Sequence, residues 1–534
     1  MARFARQGIE DPMVTLSQMA LQTQYADLSA GFAGPELPRM TCRGRLASRA
    51  IHHSIIQETF MTVTRETRPV APDNCPPLEQ AVVRFIQGLK YEHLDARALA
   101  GVNRLMRDQI ALQVGISKLP WSEQLLAYAR AGQRPGRSRV SASALTMSAA
   151  DAAFVNGSYG HGFEYDDAHG PSYSHPGSCV IPAALAIGEE LGASLQEVIV
   201  AMVAGYEVYA RIGLLAAPEL LQRGYHPHAT LSNFGAAAVA AKLRGFDAET
   251  TLHALAIALS HVSGTTEYTS TGGSIKRIHA GIGTRNGMAA ADMAQAGISG
   301  PRAFLSGNKG FFRTFLQRSA GENAERRFDV DRPFEIGTVW LKAYCACYCT
   351  HAYIDALRPF ATRRDEIADI HLKITPHFNV VVGTANVNAY MPKNIEHVQF
   401  SLPIQAAFTL LGKGNGYPVH RDYLAGKVDM APVIDIARSI RISEAPELEN
   451  QHPGKFVADV TVTFKDGRTE HVFVGDPIGT DTNPMSEPEQ DAKFMDLTTD
   501  VLGAERARAL LVALRDLNPA TKAAELTAMW AVEG

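Results

Sequence analysis

Six titratable side chains fall within residues 161–175: His161, Glu164, Asp166, Asp167, His169 and His175. They sit in GHGFEYDDAHGPSYSHPG, residues 160–177, where Gly, Ser and Pro break any helical or strand period. A stretch so rich in ionisable groups resists burial as core, so the pattern predicts a loop after a small-residue helix over residues 149–156. Carboxylates and imidazoles clustered on a loop supply proton transfer or metal ligation. The competing reading of the same residues is a solvated acidic turn.

Three further segments carry chemistry-bearing types. Residues 224–230, GYHPHAT, place His226 and His228 around a proline just before a helix, which suits a loop facing a ligand and equally describes a surface loop. Residues 267–281, EYTSTGGSIKRIHAG, join a Gly-rich turn to Lys276, Arg277 and His279, with a helix expected from about residue 284. Backbone amides, a helix start and cations together make a carboxylate or phosphate site. No Walker A lysine motif and no GxGxxG after a strand is present, which disfavours a nucleotide. Residues 342–351, KAYCACYCTH, invite a zinc or iron–sulfur reading, but the C-x-C-x-C-x-x-H spacing departs from that of structural zinc and of clusters. The cysteines read instead as small buried residues at a helix start, with Lys342 a cation at the mouth of a second domain. No G-x-S-x-G elbow supports a serine hydrolase.

The chain has 534 residues, enough for two or more domains. Hydrophobic residues at 46% and charged residues at 20% are ordinary for a globular protein. A net charge of −4 leaves no basic footprint for nucleic acid. No apolar run is clean enough to predict a membrane span; the best, residues 179–206, is interrupted by Glu189, Glu190 and Glu197. No signal peptide is evident, and six cysteines make no disulfide framework, so the expected location is cytoplasmic.

Residues 1–75 mix Gly, Pro, Arg and Met with weak periodicity and read as an N-terminal extension. Residues 76–335 read as helical. Apolar spacing predicts a helix over 78–89. Ser194 to Glu197 forms a capping box that opens a helix through residue 212. The Ala-rich residues 232–243 end at Gly245, and Asp247 caps a helix over 250–260. Between 336 and 478 the period changes. Ile370, Leu372 and Ile374 alternate with polar residues, as do residues 457–464, and Asp466-Gly467 turns into a strand over 469–474. With a helix over 348–357 this is an α+β unit. Helical signals return over 479–534 and predict helices that pack back on the first domain. The fold class expected is mainly α, a large all-helical domain with a smaller inserted α+β domain.

Four blocks carry a resemblance: residues 156–184 with the Asp166-Asp167 pair and the Ser-His-Pro-Gly element, 224–242, 275–289 with K-x-x-H-A-G, and 341–355 with K-x-Y and a later His-x-x-Ile-Asp. Their order and spacing resemble those of the MmgE/PrpD, or 2-methylcitrate dehydratase-like, family from about residue 78 to the C-terminus. The resemblance implies that the α+β insertion is a lid, that the protein is a homodimer, and that the site lies between the domains with no cofactor, metal or iron–sulfur cluster. By position it implies His226 as a proton-transfer group, His175 as the histidine of the His-Pro element that orients or partners it, Lys276 facing a substrate carboxylate, His279 three residues on, Lys342 at the start of the lid, and Asp166 and Asp167 as the acidic pair. Glu164, Arg277, Tyr268 and Cys347 are read as further substrate-binding groups, and Asp167 as an orienting partner of the histidines.

The decarboxylase members of that family carry aspartate, threonine and histidine where this chain has Glu164, Ala168 and Cys347. The expected substrate is therefore a different small di- or tricarboxylic acid from cis-aconitate. The expected reaction is that of a cofactor-independent lyase, a dehydratase or decarboxylase working through a carbanion or enolate. An epimerase on the same site and a non-catalytic carboxylate-binding protein are the alternatives.

Overall fold

Capping side chains and small residues decide where the helices begin and how closely they pack. The computed structural model describes residues 72–452 and 454–532. The extension expected over residues 1–75 lies outside them apart from its last four residues. Helices α1 (Ala96–Ile116), α2 (Ala149–Gly160), α3 (Gly177–Leu191), α4 (Leu195–Ala216), α5 (Pro227–Leu243), α6 (Ala248–Ala258) and α7 (Ile275–Gln295) build the bundle that carries the first three polar segments. The chain is mainly α.

Asp95, Ser148, Ser194 and Asp247 each accept a backbone N–H of the first turn of α1, α2, α4 and α6. Ser194 and Glu197 close the reciprocal capping box. Two helices start earlier than their apolar pattern predicts. Helix α5 begins at Pro227 rather than residue 232, because proline at the first helical position gives up an N–H that would be unpaired there anyway. Helix α7 begins at Ile275 rather than near residue 284. His226 thereby becomes the cap residue of α5, and Lys276 and His279 move from a loop into the first turns of α7.

Helix α4 is long and apolar enough to cross a bilayer by length and composition, contrary to the reading of the sequence. It lies within the bundle, buried over most of its length. It also carries a buried ion pair, Glu207 to Arg211, with Nε to Oε2 at 2.7 Å. Helix α7 packs on α2, α5 and α6, and α4 packs on α5. The approach of α7 to α2 needs Gly281: a Cβ there would lie 2.2 Å from the Phe154 carbonyl oxygen and 2.2 Å from Ser158 Oγ. Gly287, on the same helix, faces the Asn233 carbonyl of α5 in the same way.

The acidic loop is not the solvated turn its composition suggests. His161, Glu164, Asp166, Asp167 and His169 are each less than a tenth exposed. Burial is tolerated because most of their polar atoms meet a partner inside the protein.

A four-stranded sheet follows in the order β2-β1-β3-β4, with β1 Ile367–Ile374, β2 Arg441–Glu444, β3 Ala458–Phe464 and β4 Thr469–Val474. Strands β1 and β2 are parallel, while β1/β3 and β3/β4 are antiparallel, with Leu372 opposite Val460 and Val460 opposite Val472. The hairpin turns at Asp466-Gly467, where Gly467 has φ +84°. Ile370, Leu372, Ile374, Val460 and Val462 bury one face against the helices His351–Leu357 and Leu402–Leu410, forming a hydrophobic cluster separate from that of the bundle. Helix α8 (Glu487–Leu502) and the helix Ala504–Arg515 then pack along α1.

Replacing Gly281 with Val is expected to force α7 away from α2 and cost about 1–3 kcal/mol of stability. Gly132→Ala, where nothing lies within 4 Å of the added carbon, should stay within about 0.5 kcal/mol of the parent. Urea unfolding midpoints measure both.

Candidate active site

Four parts of the chain converge. The loop after α2 contributes His161, Glu164, Asp166, Asp167 and His175. The cap of α5 contributes His226 and His228, and the first turns of α7 contribute Lys276 and His279. Lys342 arrives by a two-sided backbone bridge: Ala168 N donates to Trp340 O at 2.9 Å and Trp340 N donates to Ala168 O at 2.7 Å. That bridge lays residues 340–342 beside the acidic loop.

Glu164 is the junction. Its Oε2 accepts from Lys342 Nζ at 2.8 Å, and its Oε1 pairs with Lys276 Nζ. Lys342 is 1% exposed in its side chain and lies 3.9 Å from Asp166 Oδ1. Glu164 holds φ +52°, a left-handed backbone that costs a non-glycine residue about 1–2 kcal/mol. Burial, and then the neighbouring Lys342 ammonium, push the Lys276 ammonium well below the ordinary lysine range. The Glu164 carboxylate in contact with it favours the charged form.

The imidazoles pack around this junction. His161 Nδ1 lies 2.6 Å from Asp166 Oδ2, so a neutral ring donates there and turns Nε2 outward as a lone pair. Among the described residues neither His161 Nε2 nor Asp166 Oδ1 has a hydrogen-bond partner. His226 and His279 meet Nδ1 to Nδ1 at 2.9 Å, which requires one donor and one acceptor. His175 Nδ1 lies 2.7 Å from the Asp167 carbonyl, which fixes its proton on Nδ1. His228 is held between Tyr209 Oη at 2.7 Å and Ser178 Oγ at 3.2 Å. The ring of His161 lies 4.5 Å from that of His228 and 5.2 Å from that of His175, centroid to centroid. Burial, with the nearby lysines and histidines, holds His161, His226 and His228 well below the usual histidine range. Burial lowers His175 as well, and brings His279 to about 4 with Lys276 adding to the effect.

Asp167 faces the other way. Its carboxylate accepts from Gly177 N at 2.9 Å and Tyr206 Oη at 3.0 Å, tying the loop to the start of α3 and to α4. Burial, and then Asp166, push its carboxyl well above the carboxylate range against those donors. The Asp167 carboxylate thus braces the loop that carries His175, while its backbone carbonyl holds the His175 ring. The Tyr268 ring stands 5.6 Å from that of His226 and 5.9 Å from that of His279. Cys347 is buried, and its thiol is lowered first by a hydrogen bond from Cys349 and then by Lys342 and Lys276, against burial.

Arg277 does not join the cluster. One residue along α7 from Lys276 turns the side chain about 100° round the helix. Arg277 pairs with Glu396 and stacks 3.9 Å over Trp121. Together with Trp121, Tyr128, Phe154, Ser274 and Arg285 it lines a separate hollow of about 320 Å³.

Lys493 and Asp108 escaped the reading of the sequence. Lys493 of α8 donates to the Tyr165 carbonyl at 2.7 Å and the Lys342 carbonyl at 2.9 Å, and pairs with Asp108 of α1 at 2.6 Å. It clamps both backbones of the site from 150 or more residues away, and an ordinary helical Lys gives no signal of this. His161 was legible only as one member of the cluster.

The sequence matches the family models described as the MmgE/PrpD N-terminal domain over residues 80–322 and the MmgE/PrpD C-terminal domain over residues 344–518. It is 24% identical over 466 residues to a cis-aconitate decarboxylase of Aspergillus terreus, covering 82% of this chain and 94% of that protein. It is also 24% identical over 470 residues to the cis-aconitate decarboxylase of Homo sapiens, covering 85% and 94%.

Lys342→Met should cost about 3–5 kcal/mol, because it leaves Asp166 and Glu164 buried with half their positive charge. Adding Glu164→Gln to that variant should recover part of the loss, read as urea midpoints. The depressed histidines fix the sign of a pH effect. The unfolded chain takes up protons near pH 6.5, before the folded chain does, so stability is full above that pH and falls below it. The histidine contribution should therefore make unfolding midpoints drop between pH 6.5 and 5, and His279→Asn should shrink the drop.

Proposed function

Because the chain belongs to the MmgE/PrpD family, we propose that it is a lyase, a dehydratase or decarboxylase that acts on a small di- or tricarboxylic acid. The observation that carries this reading is the juxtaposition of two ammonium groups, Lys342 buried and Lys276 half-buried, with the neutral His226–His279 pair. Elimination and decarboxylation next to a carboxylate both leave an electron pair on carbon, which delocalises into the neighbouring carboxylate. Fixed cations in a water-poor site lower the energy of that charge most effectively.

Lys276 and Lys342 are assigned that electrostatic role. Each ammonium has three N–H donors, and Glu164 takes one from each, leaving donors for a substrate carboxylate. His226 is assigned the proton transfer. With its Nδ1–H given to His279, its Nε2 carries the lone pair. A histidine held neutral by burial rests as a base, so proton abstraction from carbon comes first and the resulting imidazolium then acts as the acid. In dehydration that acid protonates the departing hydroxyl. In decarboxylation the carbon–carbon electron pair stays on the substrate as CO2 leaves, and His226, having first taken up a proton from solvent, delivers that proton to the carbon. His175, oriented through Asp167, is assigned as the second proton-transfer group.

The test is hydrogen exchange. Incubation in heavy water with di- and tricarboxylic acids, followed by NMR, should place deuterium on carbon beside a carboxylate. A panel of such acids showing neither exchange nor product would sink the proposal. His226→Ala should lower turnover by about a hundredfold or more, and a near-normal turnover number would remove its assigned role.

A further inference from the structure

Helix α7 presents two arginines outside the histidine and lysine cluster, and only one of them is answered by a carboxylate. Arg277 pairs with Glu396 and lies over the Trp121 ring. Among the described residues Arg285 pairs with no carboxylate; its guanidinium lies 4.4 Å over the Phe154 ring instead. Both border the hollow of about 320 Å³, a size that suits a small ligand.

The two arginines are eight residues apart, about 12 Å along the helix axis. Ile278 and Ile282 stand between them on the same face, and Leu125 of the helix Pro120–Gly132 adds to the apolar wall. Trp121 is fixed at the Arg277 end by stacking on Phe163, with ring centroids 5.9 Å apart. Tyr128 sets its ring edge-on to Phe154 at 6.0 Å and is 61% exposed, so the Arg285 end opens at the surface. The hollow therefore has an apolar length and one unanswered cation near its mouth.

We propose that this hollow binds an amphipathic monocarboxylate, with the carboxylate on Arg285 and the apolar chain lying across Ile282 and Ile278 toward Trp121. A guanidinium offers two parallel donors to a carboxylate, and its seat on an aromatic face reduces the freedom lost on binding. A single unanswered cation selects a single negative charge. A second charge on the ligand would lie among isoleucine and leucine side chains with no partner, which is strongly disfavoured. The proposal is independent of the lyase reading, because it uses none of the residues assigned there.

Octanoate and the uncharged 1-octanol are matched probes. Titration of the full chain with octanoate should shift its tryptophan fluorescence saturably, and Trp121→Phe should abolish the shift, since Trp340 and Trp530 do not line the hollow. Calorimetry should show octanoate bound about tenfold more tightly than 1-octanol or better, as a charge-assisted pair provides. Arg285→Gln should remove that preference, and Arg285→Lys, which keeps the charge, should retain most of it. Unchanged affinity for 1-octanol in Arg285→Gln separates loss of the charge from loss of the fold.

Absence of a saturable shift overturns the inference, whether the hollow takes no ligand or a second copy or another segment of the chain fills it. So does a shift that survives Trp121→Phe, equal affinity for octanoate and 1-octanol, or a preference that Arg285→Gln leaves intact.

Discussion

A single carboxylate between two ammonium groups holds the site together. Glu164 bonds Lys342 and Lys276, which come from segments far apart in the chain. None of the three is stable in this setting alone. A buried lysine without a carboxylate loses its proton or its place, and a buried carboxylate without a cation does likewise. Their mutual dependence draws the acidic loop, the first turn of α7 and the segment after Trp340 to one point. The left-handed backbone of Glu164 is the local cost of that convergence.

The surrounding scaffold makes the convergence rigid. Gly281 lets α7 lie against the backbone of α2, so Lys276 and His279 descend onto the loop that α2 launches. The Ala168–Trp340 bridge fixes the depth of Lys342. Lys493 and Asp108 then fasten the same two backbones from the far side of the fold. Rigid donors of this kind need no reorganisation when charge develops, which is how fixed groups stabilise an anion.

Burial favours the uncharged form of both kinds of base present, and their partners decide the outcome. It keeps the imidazoles neutral, because the loss of water around a charged ring outweighs what their neighbours return. It also pushes on Lys276, but there a carboxylate in contact opposes it. The outcome is a division of labour set by partners more than by residue type: ammonium groups that carry charge, and imidazoles free to accept a proton.

The sequence by itself determined the elements and most of the participants. Ser194 and Asp247 cap helices as their types demand, the alternation around Ile370–Ile374 makes a buried strand face, and Asp466-Gly467 turns the hairpin, because these are interactions between near neighbours. The chemistry-bearing residue types at 161–175, 226, 276, 279 and 342 were legible for the same reason. Tertiary structure alone decided three things. It decided that the acidic loop is buried, since a composition cannot reveal the partners that make burial tolerable. It decided that Lys276 faces the cluster while Arg277 turns to Trp121 and Glu396, since helical phase matters only once a neighbour defines which face is inside. And it decided that Lys493 belongs to the site, since a contact across more than three hundred residues leaves no trace in local pattern.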